Sequence, residues 1–259
     1  MVKKNYPSRS IRGKRRVNRY LAQNTSLRKY VPVTVRFSIR NLTRMAQRYS
    51  SLYIKPDVGS LGIGVHKLIR RSGGYQLVLT HKKRQLHKEF STASHVYRYL
   101  KASKHTPLII QQSISLDKFQ GRPYDLRAMV QRKPGGPWVC TGILVKIGGK
   151  NRITTNYYQG GEMLTYEQFL QAKGYSSTER SAKQAYIKEI AIAMAKTLSK
   201  KRSGMQEMGI DLAFDKHKQL WVIEVNTYHP QFHPLKKIAP SMYRRMMRYA
   251  RSYGRTRAK

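Results

Sequence analysis

The sequence predicts an α+β fold, and three observations lead there. Apolar runs with strand character come in bunches, at 63–70, 74–80, 85–90, 124–132, 137–147, 208–215 and 220–226. Helical periodicity falls between those bunches rather than after every strand, which departs from the regular alternation of a parallel sheet. Hydrophobic residues make up 40% of the 259 positions, enough to bury a substantial core.

Taken in order, residues 1–20 are rich in Lys and Arg and poor in apolar residues, and read as a basic arm, flexible at least at its start. From Ile39 to Tyr49, the residues Leu42, Met45, Ala46 and Tyr49 share one helical face. Ser51 to Lys55 reads as a strand that Pro56 ends, and Gly59, Gly62 and Gly64 follow as a glycine-rich turn. Gly73-Gly74 makes a hairpin between the next two strands. Ser91 to Ser103 reads as a helix with a Ser/Thr start, and Leu108 to Gln112 as a buried strand. Pro134-Gly135-Gly136-Pro137 turns a long hairpin. A helix over 177–200 carries an expected stripe of Ala182, Ala185, Tyr186, Ile190, Ala193, Met194 and Leu198. A last helix, 239–253, buries Tyr243, Met246, Met247 and Ala250 and turns Arg244, Arg245, Arg248 and Arg251 outward. The domain expectation is a basic arm at 1–20, an N-terminal subdomain at 21–115, a C-terminal subdomain at 116–238 and a basic C-terminal helix at 239–259.

Lys and Arg total 52 against 12 Asp and Glu, a formal charge of +40. No acid precedes Asp57 and none follows Glu224. Such an excess predicts salt-sensitive attraction to an anionic polymer or acidic peptide. Nucleic acid is not favoured, because no helix-turn-helix, zinc-finger or RNP-like signature is present. The single Cys140 excludes an internal disulfide and a multi-cysteine zinc site, and its apolar strand reads as core. The basic start lacks a following apolar stretch, and no apolar run reaches transmembrane length, so a soluble, cytoplasmic chain is expected.

Against that basic background the acids near the end stand out. Gly209-Ile210-Asp211-Leu212 and Ile223-Glu224-Val225-Asn226 are apolar strands interrupted by acids. A four-residue turn, 216–219, sets Asp211 opposite Glu224, and Asn226 shares their face. Adjacent carboxylates repel unless a cation neutralises them, and Mg²⁺ takes oxygen ligands of this kind. The alternative is the polar stripe of an amphipathic hairpin. Upstream, Tyr53-Ile54-Lys55-Pro56 brings a lysine to the glycine-rich turn, where backbone N–H groups and an ammonium suit phosphate; a plain hairpin is the alternative. In Gly121-Arg122-Pro123-Tyr124-Asp125-Leu126-Arg127, Asp125 and Arg127 share a strand face, as a phosphate clamp with its orienting acid or as an ordinary ion pair. His229 and His233 are separated by Pro230, which spoils a helical zinc pair.

The ordered set resembles the ATP-grasp superfamily over roughly residues 10–235: Lys55, the 59–64 loop, Ile110-Gln111-Gln112-Ser113-Ile114, Asp125 with Arg127, Thr155-Asn156 with Gly160-Gly161, Asp211, and Glu224-Val225-Asn226. Within it the chain is similar to the YheC/YheD-like, spore coat-associated proteins. The resemblance implies an ATP-grasp fold, two α/β subdomains clasping a nucleotide between antiparallel sheets. It implies ATP and Mg²⁺, or Mn²⁺, as cofactors. Lys14 and Lys55 then reach phosphate, and Gly59, Ser60, Gly62 and Gly64 close over it. Gln111, Gln112, Ser113 and Ile114 lie at adenine and ribose. Asp125 orients Arg127, which faces the γ-phosphate, and Asn156 sits near substrate. Asp211, Glu224 and Asn226 hold the metal. The implied activity is ATP-dependent carboxylate–amine or thiol ligation through an acyl phosphate, with Lys55 and Arg127 as catalytic groups and an acidic peptide or polymer as substrate. A nucleotide-binding structural protein of the spore envelope is the alternative, and a nucleic-acid binder the second. Thr227-Tyr228-His229-Pro230 replaces the Pro-Gly that often follows Glu-x-Asn, and Gln112 stands where many members carry an acid.

Overall fold

The computed structural model describes residues 5–59, 62–81, 84–102, 106–149 and 161–259. The chain forms two compact units: unit 1 comprises Met1–Arg12, Tyr20–Val31 and Leu116–Lys259, and unit 2 comprises Gly13–Arg19 and Pro32–Ser115. Helix α1 (Lys14–Ala22) crosses the boundary between them.

Unit 2 is an antiparallel sheet in the order β1 (Thr34–Arg36), β6 (Leu108–Gln112), β2 (Ser51–Pro56), β3 (His66–Arg71), β4 (Gly74–His81), β5 (Arg84–Phe90). Strand alternation sends Leu52, Ile54, Leu68, Leu77 and Ile110 to one face, where α2 (Ile39–Arg48) and α3 (Ala93–Ala102) cover them with Leu42, Met45, Ala46, Val96 and Leu100. Each such Leu, Ile, Val or Met side chain contributes roughly 1.5–3 kcal/mol by leaving water. Ser38 caps α2 by accepting the Asn41 N–H. Register puts Tyr53, Lys55, Lys67 and Gln111 on the other face.

Unit 1 is a second antiparallel sheet, ordered β10 (Glu162–Thr165), β9 (Val139–Ile147), β8 (Arg122–Gln131), β11 (Glu207–Phe214), β12 (Leu220–Asn226), with β7 (Lys118–Phe119) on the start of β8. Helix α4 (Tyr166–Ala172) and helix α5 (Ser177–Lys201) each open on a capping box, Thr165 with Gln168 and Ser176 with Glu179. Leu126, Ala128, Val145, Ile210 and Leu212 are fully buried on the sheet. On one end of a face, α6 (Leu235–Ile238) and α7 (Pro240–Ser252) pack Leu235, Met246 and Met247 against Met129 and Leu144. Gly142 admits α7, since a Cβ there meets the Met242 sulfur at 2.4 Å. The four arginines of α7 point outward as its periodicity predicts.

Three expectations need correction. From Tyr6 onward the basic segment is not a flexible arm. Tyr6, Ile11 and Val17 are buried, Lys14–Ala22 is helical, and Ile11 exchanges two hydrogen bonds with Thr227. A few well-spaced apolar residues hold it despite the charge around them. The α5 stripe is rotated: Ile187, Ile190, Ala191, Met194, Ala195 and Leu198 are buried, whereas Ala182, Ala185 and Tyr186 are exposed. The β11–β12 turn has three residues, because the Asp215 N–H bonds to the Gln219 carbonyl and Lys218 takes φ 64°.

Candidate functional site

In unit 1 the polar side chains gather on one face of β9, β8, β11 and β12. Asp125 pairs with Lys146, Arg127 with Asp211, and Asp211 with Glu224 across the ladders. The expected turn is one residue too long, yet the Asp211–Glu224 pairing holds, because a bulge shifts the register between Asp211 and Leu212. Arg127 grips Asp211 with two parallel bonds, 2.5 Å from Nε and 2.8 Å from Nη2. Lys146 bridges the Asp125 carboxylate at 2.7 Å and the Asp211 carboxylate at 3.1 Å. Asn226 donates its amide to Asp211 at 3.3 Å.

Burial alone pushes the Asp211 carboxyl upward, but Arg127 and Lys146 outweigh it and hold the group below the ordinary carboxylate range. Burial likewise pulls the Lys146 ammonium down, and Asp125 and Asp211 reverse that to a net rise. Gly209 makes room for this arrangement: a Cβ there meets the Pro230 side chain at 2.8 Å and the Arg127 guanidinium at 3.1 Å. Among the described residues no group of three or more His, Cys, Asp or Glu stands ready for a metal. Asp211 and Glu224 instead offer two carboxylates, and Asn226, whose amide nitrogen faces Asp211, adds an amide oxygen once that group turns; this is a hard oxygen set of the kind that fits Mg²⁺ or Mn²⁺.

Unit 2 gathers cations. Lys55 is buried and donates to the Gln111 side-chain oxygen at 2.6 Å, and Gln111 donates to Thr34 at 3.0 Å. Lys67 lies over the Tyr53 ring on the same face, and burial lowers its ammonium from the ordinary value. Lys14 donates to the Gly59 carbonyl at 2.7 Å, so the early lysine meets the start of the glycine-rich turn. Asp57 fixes that meeting, since its carboxylate accepts the Arg15 N–H at 2.8 Å and its carbonyl accepts the Lys14 N–H at 2.9 Å. Gly62 and Gly64 take left-handed φ of 71° and 70°. Gln112 receives the Val33 N–H at the end of β6, and Ser113 and Ile114 follow in the chain leaving it. Ser60, Thr155, Asn156 and Gly160 lie outside the described residues.

Thus the structure brings Asp125, Arg127, Asp211, Glu224 and Asn226 together in unit 1, and Lys14 with Gly59 in unit 2. Sequence reasoning missed Lys146, whose signal was a lone cation closing the apolar run of β9. It also missed a buried network in unit 1. There Glu207 accepts hydrogen bonds from Tyr6, Tyr253 and Arg255, with Arg255 at 2.6 Å and Tyr253 at 2.9 Å. Tyr6 also contacts His229 at 2.7 Å, tying the loop after Asn226 to both ends of the described chain. A cavity of about 380 Å³ is lined by Tyr124 and Phe214, strand positions that alternate with this polar face, and by Phe169 of α4 with Lys173 and Tyr175 after it. No described helix is long and apolar enough to cross a membrane.

Comparison with known proteins follows the same lines. The chain is 30% identical over 228 residues to endospore coat-associated protein YheD of Bacillus subtilis (strain 168), covering 82% of this chain and 48% of that protein. It is 20% identical over 210 residues to endospore coat-associated protein YheC of the same organism, covering 80% of this chain and 57% of that one. The chain therefore spans about half the length of these curated relatives. A crystal structure of N5-carboxyaminoimidazole ribonucleotide synthetase from Thermotoga maritima aligns with a TM-score of 0.49 at 14% identity, over 96% of this chain and 51% of that one. The profile described as YheC/D like ATP-grasp matches residues 4–256, and the chain belongs to that family.

Proposed function

We propose that the protein binds Mg-ATP and uses it to ligate a carboxylate to an amine or thiol. The observation that carries this reading is the single sheet face that joins Asp125, Arg127, Asp211, Glu224 and Asn226 in a chain with only 12 acids. Lys14 and Lys55 bind the phosphates, and the 59–64 loop lies over them. Gln111, Gln112, Ser113 and Ile114 line adenine and ribose. Arg127, oriented by the Asp211 carboxylate rather than by Asp125, neutralises charge on the transferred phosphoryl group. Asp211, Glu224 and Asn226 hold Mg²⁺, which when bound draws charge from the phosphate oxygens. The substrate carboxylate takes the γ-phosphoryl group and ADP leaves; the acceptor then displaces inorganic phosphate. Asn156 is assigned to the substrate side of this site.

The charge of +40 favours an acidic peptide or polymer as substrate. ADP release measured on adding an oligo-glutamate probe tests this: release that depends on the probe is expected. Tight ATP binding with no release from any carboxylate offered contradicts the ligase reading. That outcome favours a second one, a nucleotide-binding protein of the spore envelope with little turnover. The relatives named as endospore coat-associated support it. Under that reading the protein acts on the spore surface, and pull-down with purified coat material retains it.

A further inference from the structure

Lys146 has no role in the reading above, yet its ammonium lies at the centre of the acidic face. It reaches Asp125 at 2.7 Å and Asp211 at 3.1 Å, with only 16% of its side chain exposed. The acceptor sites of Asp211 are heavily used. One oxygen takes Arg127 Nε and Lys146 Nζ, and the other takes Arg127 Nη2 and the Asn226 amide. A carboxylate offers about four lone-pair sites. A cation that coordinates Asp211 must therefore displace an N–H donor. Arg127 is held by two short, parallel bonds. The Asn226 contact is the longest, at 3.3 Å, but lies on the other oxygen; on the oxygen shared with Arg127 Nε, Lys146 makes the longer contact, 3.1 Å, and keeps Asp125 as a closer partner to retreat to.

We propose that Lys146 is a positioning residue that stands in for the divalent cation. Without metal its ammonium, with Arg127, neutralises Asp211; a divalent cation at Asp211, Glu224 and Asn226 drives it off Asp211 and onto Asp125 alone. Metal affinity is then set by competition with a built-in cation, which keeps the acidic face charge-balanced in either state. This rests on the assignment of Asp211, Glu224 and Asn226 as metal ligands.

The test is Mn²⁺ titration of the full chain without nucleotide, read by electron paramagnetic resonance, on wild type, Lys146→Met, Asp125→Asn and the double variant. Removing the competing ammonium tightens Mn²⁺ binding by about tenfold or more, given the repulsion of two cations a few ångströms apart. The gain appears in Lys146→Met against wild type. It appears again in the double variant against Asp125→Asn, which covers loss of fold in the single variant. Adding Glu224→Gln abolishes it. Unchanged, weaker or undetectable Mn²⁺ binding in both lysine variants overturns the proposal, as does a gain that survives Glu224→Gln. If Glu224→Ala leaves Mg-ATP affinity unchanged, the metal assignment itself falls. If Glu224 matters and Lys146 does not, only the stand-in role falls.

Discussion

The two polar sheet faces solve opposite problems. Of the 12 acids, unit 2 holds only Asp57 and Glu89, while the other ten lie in unit 1. On the unit 1 face, charge meets charge: Arg127 and Lys146 against Asp211 and Asp125, all largely buried. In unit 2 the contacts described for Lys55 and Lys14 include an amide oxygen and a carbonyl. A neutral acceptor aims an ammonium without cancelling its charge. An ion pair fixes geometry but makes each partner depend on the other. On the proposed reading the first face holds a cation among acids, and the second presents cations to an anion.

The difference is open to attack by substitution. The largest effect is expected in the buried pair of unit 1. Arg255→Met strands Glu207, which has no exposed surface, and costs about 3–5 kcal/mol in chemical denaturation. Arg127→Met removes two bonds from Asp211 but leaves Lys146, and costs about 2–3 kcal/mol by the same measurement. Gly209→Ala presses on Pro230 and Arg127 and costs about 1–3 kcal/mol, with Arg127 moved off its carboxylate in a crystal structure. The unit 2 counterpart, Lys55→Met, loses the hydrogen bond to the neutral Gln111 oxygen, which contributes about 1 kcal/mol of stability. Its expected cost lies in ATP affinity instead, roughly tenfold or more. If Lys55→Met destabilises as much as Arg127→Met, the contrast between the faces collapses.

The smallest effect concerns pH. Burial raises the Asp117 carboxyl, but Lys218, Tyr124 and Lys173 overcome it and bring it down to about 2. A folded-state value below the unfolded one stabilises the protein above about pH 4, and that stabilisation is lost as pH falls towards the depressed value. Melting temperature should drop between about pH 4 and 2, and Asp117→Asn should remove part of the slope. An identical slope in the variant contradicts the assignment.

Most long elements were legible because their periodicity spans many residues. The β2, β6 and β12 strands and α2, α5 and α7 fall within a residue or two of expectation. Short elements were not legible. The three-residue β1 and the four-residue β10 carry too little pattern, and α1 is hidden by its own charge. At the site, Asp211 opposite Glu224 was readable from turn arithmetic. That arithmetic contained an error of one residue, which the bulge after Asp211 cancels. Neither the bulge nor the shorter turn leaves a residue-type signal. Lys146 left only the signal of a lone cation in an apolar run, and the Glu207–Arg255 pair was beyond reach because it is fixed by long-range packing: Arg255 lies 48 residues from Glu207, in a segment that reads as a basic tail.

The central claim is that Asp211, Glu224 and Asn226 hold the metal of a bound Mg-ATP. Its most direct test is isothermal calorimetry of ATP, with and without Mg²⁺, on wild type and Glu224→Ala. The account predicts Mg²⁺-dependent binding to wild type and affinity weaker by about tenfold or more in the variant, at least ~1.4 kcal/mol. Equal affinity in the two proteins, in the presence of Mg²⁺, contradicts it.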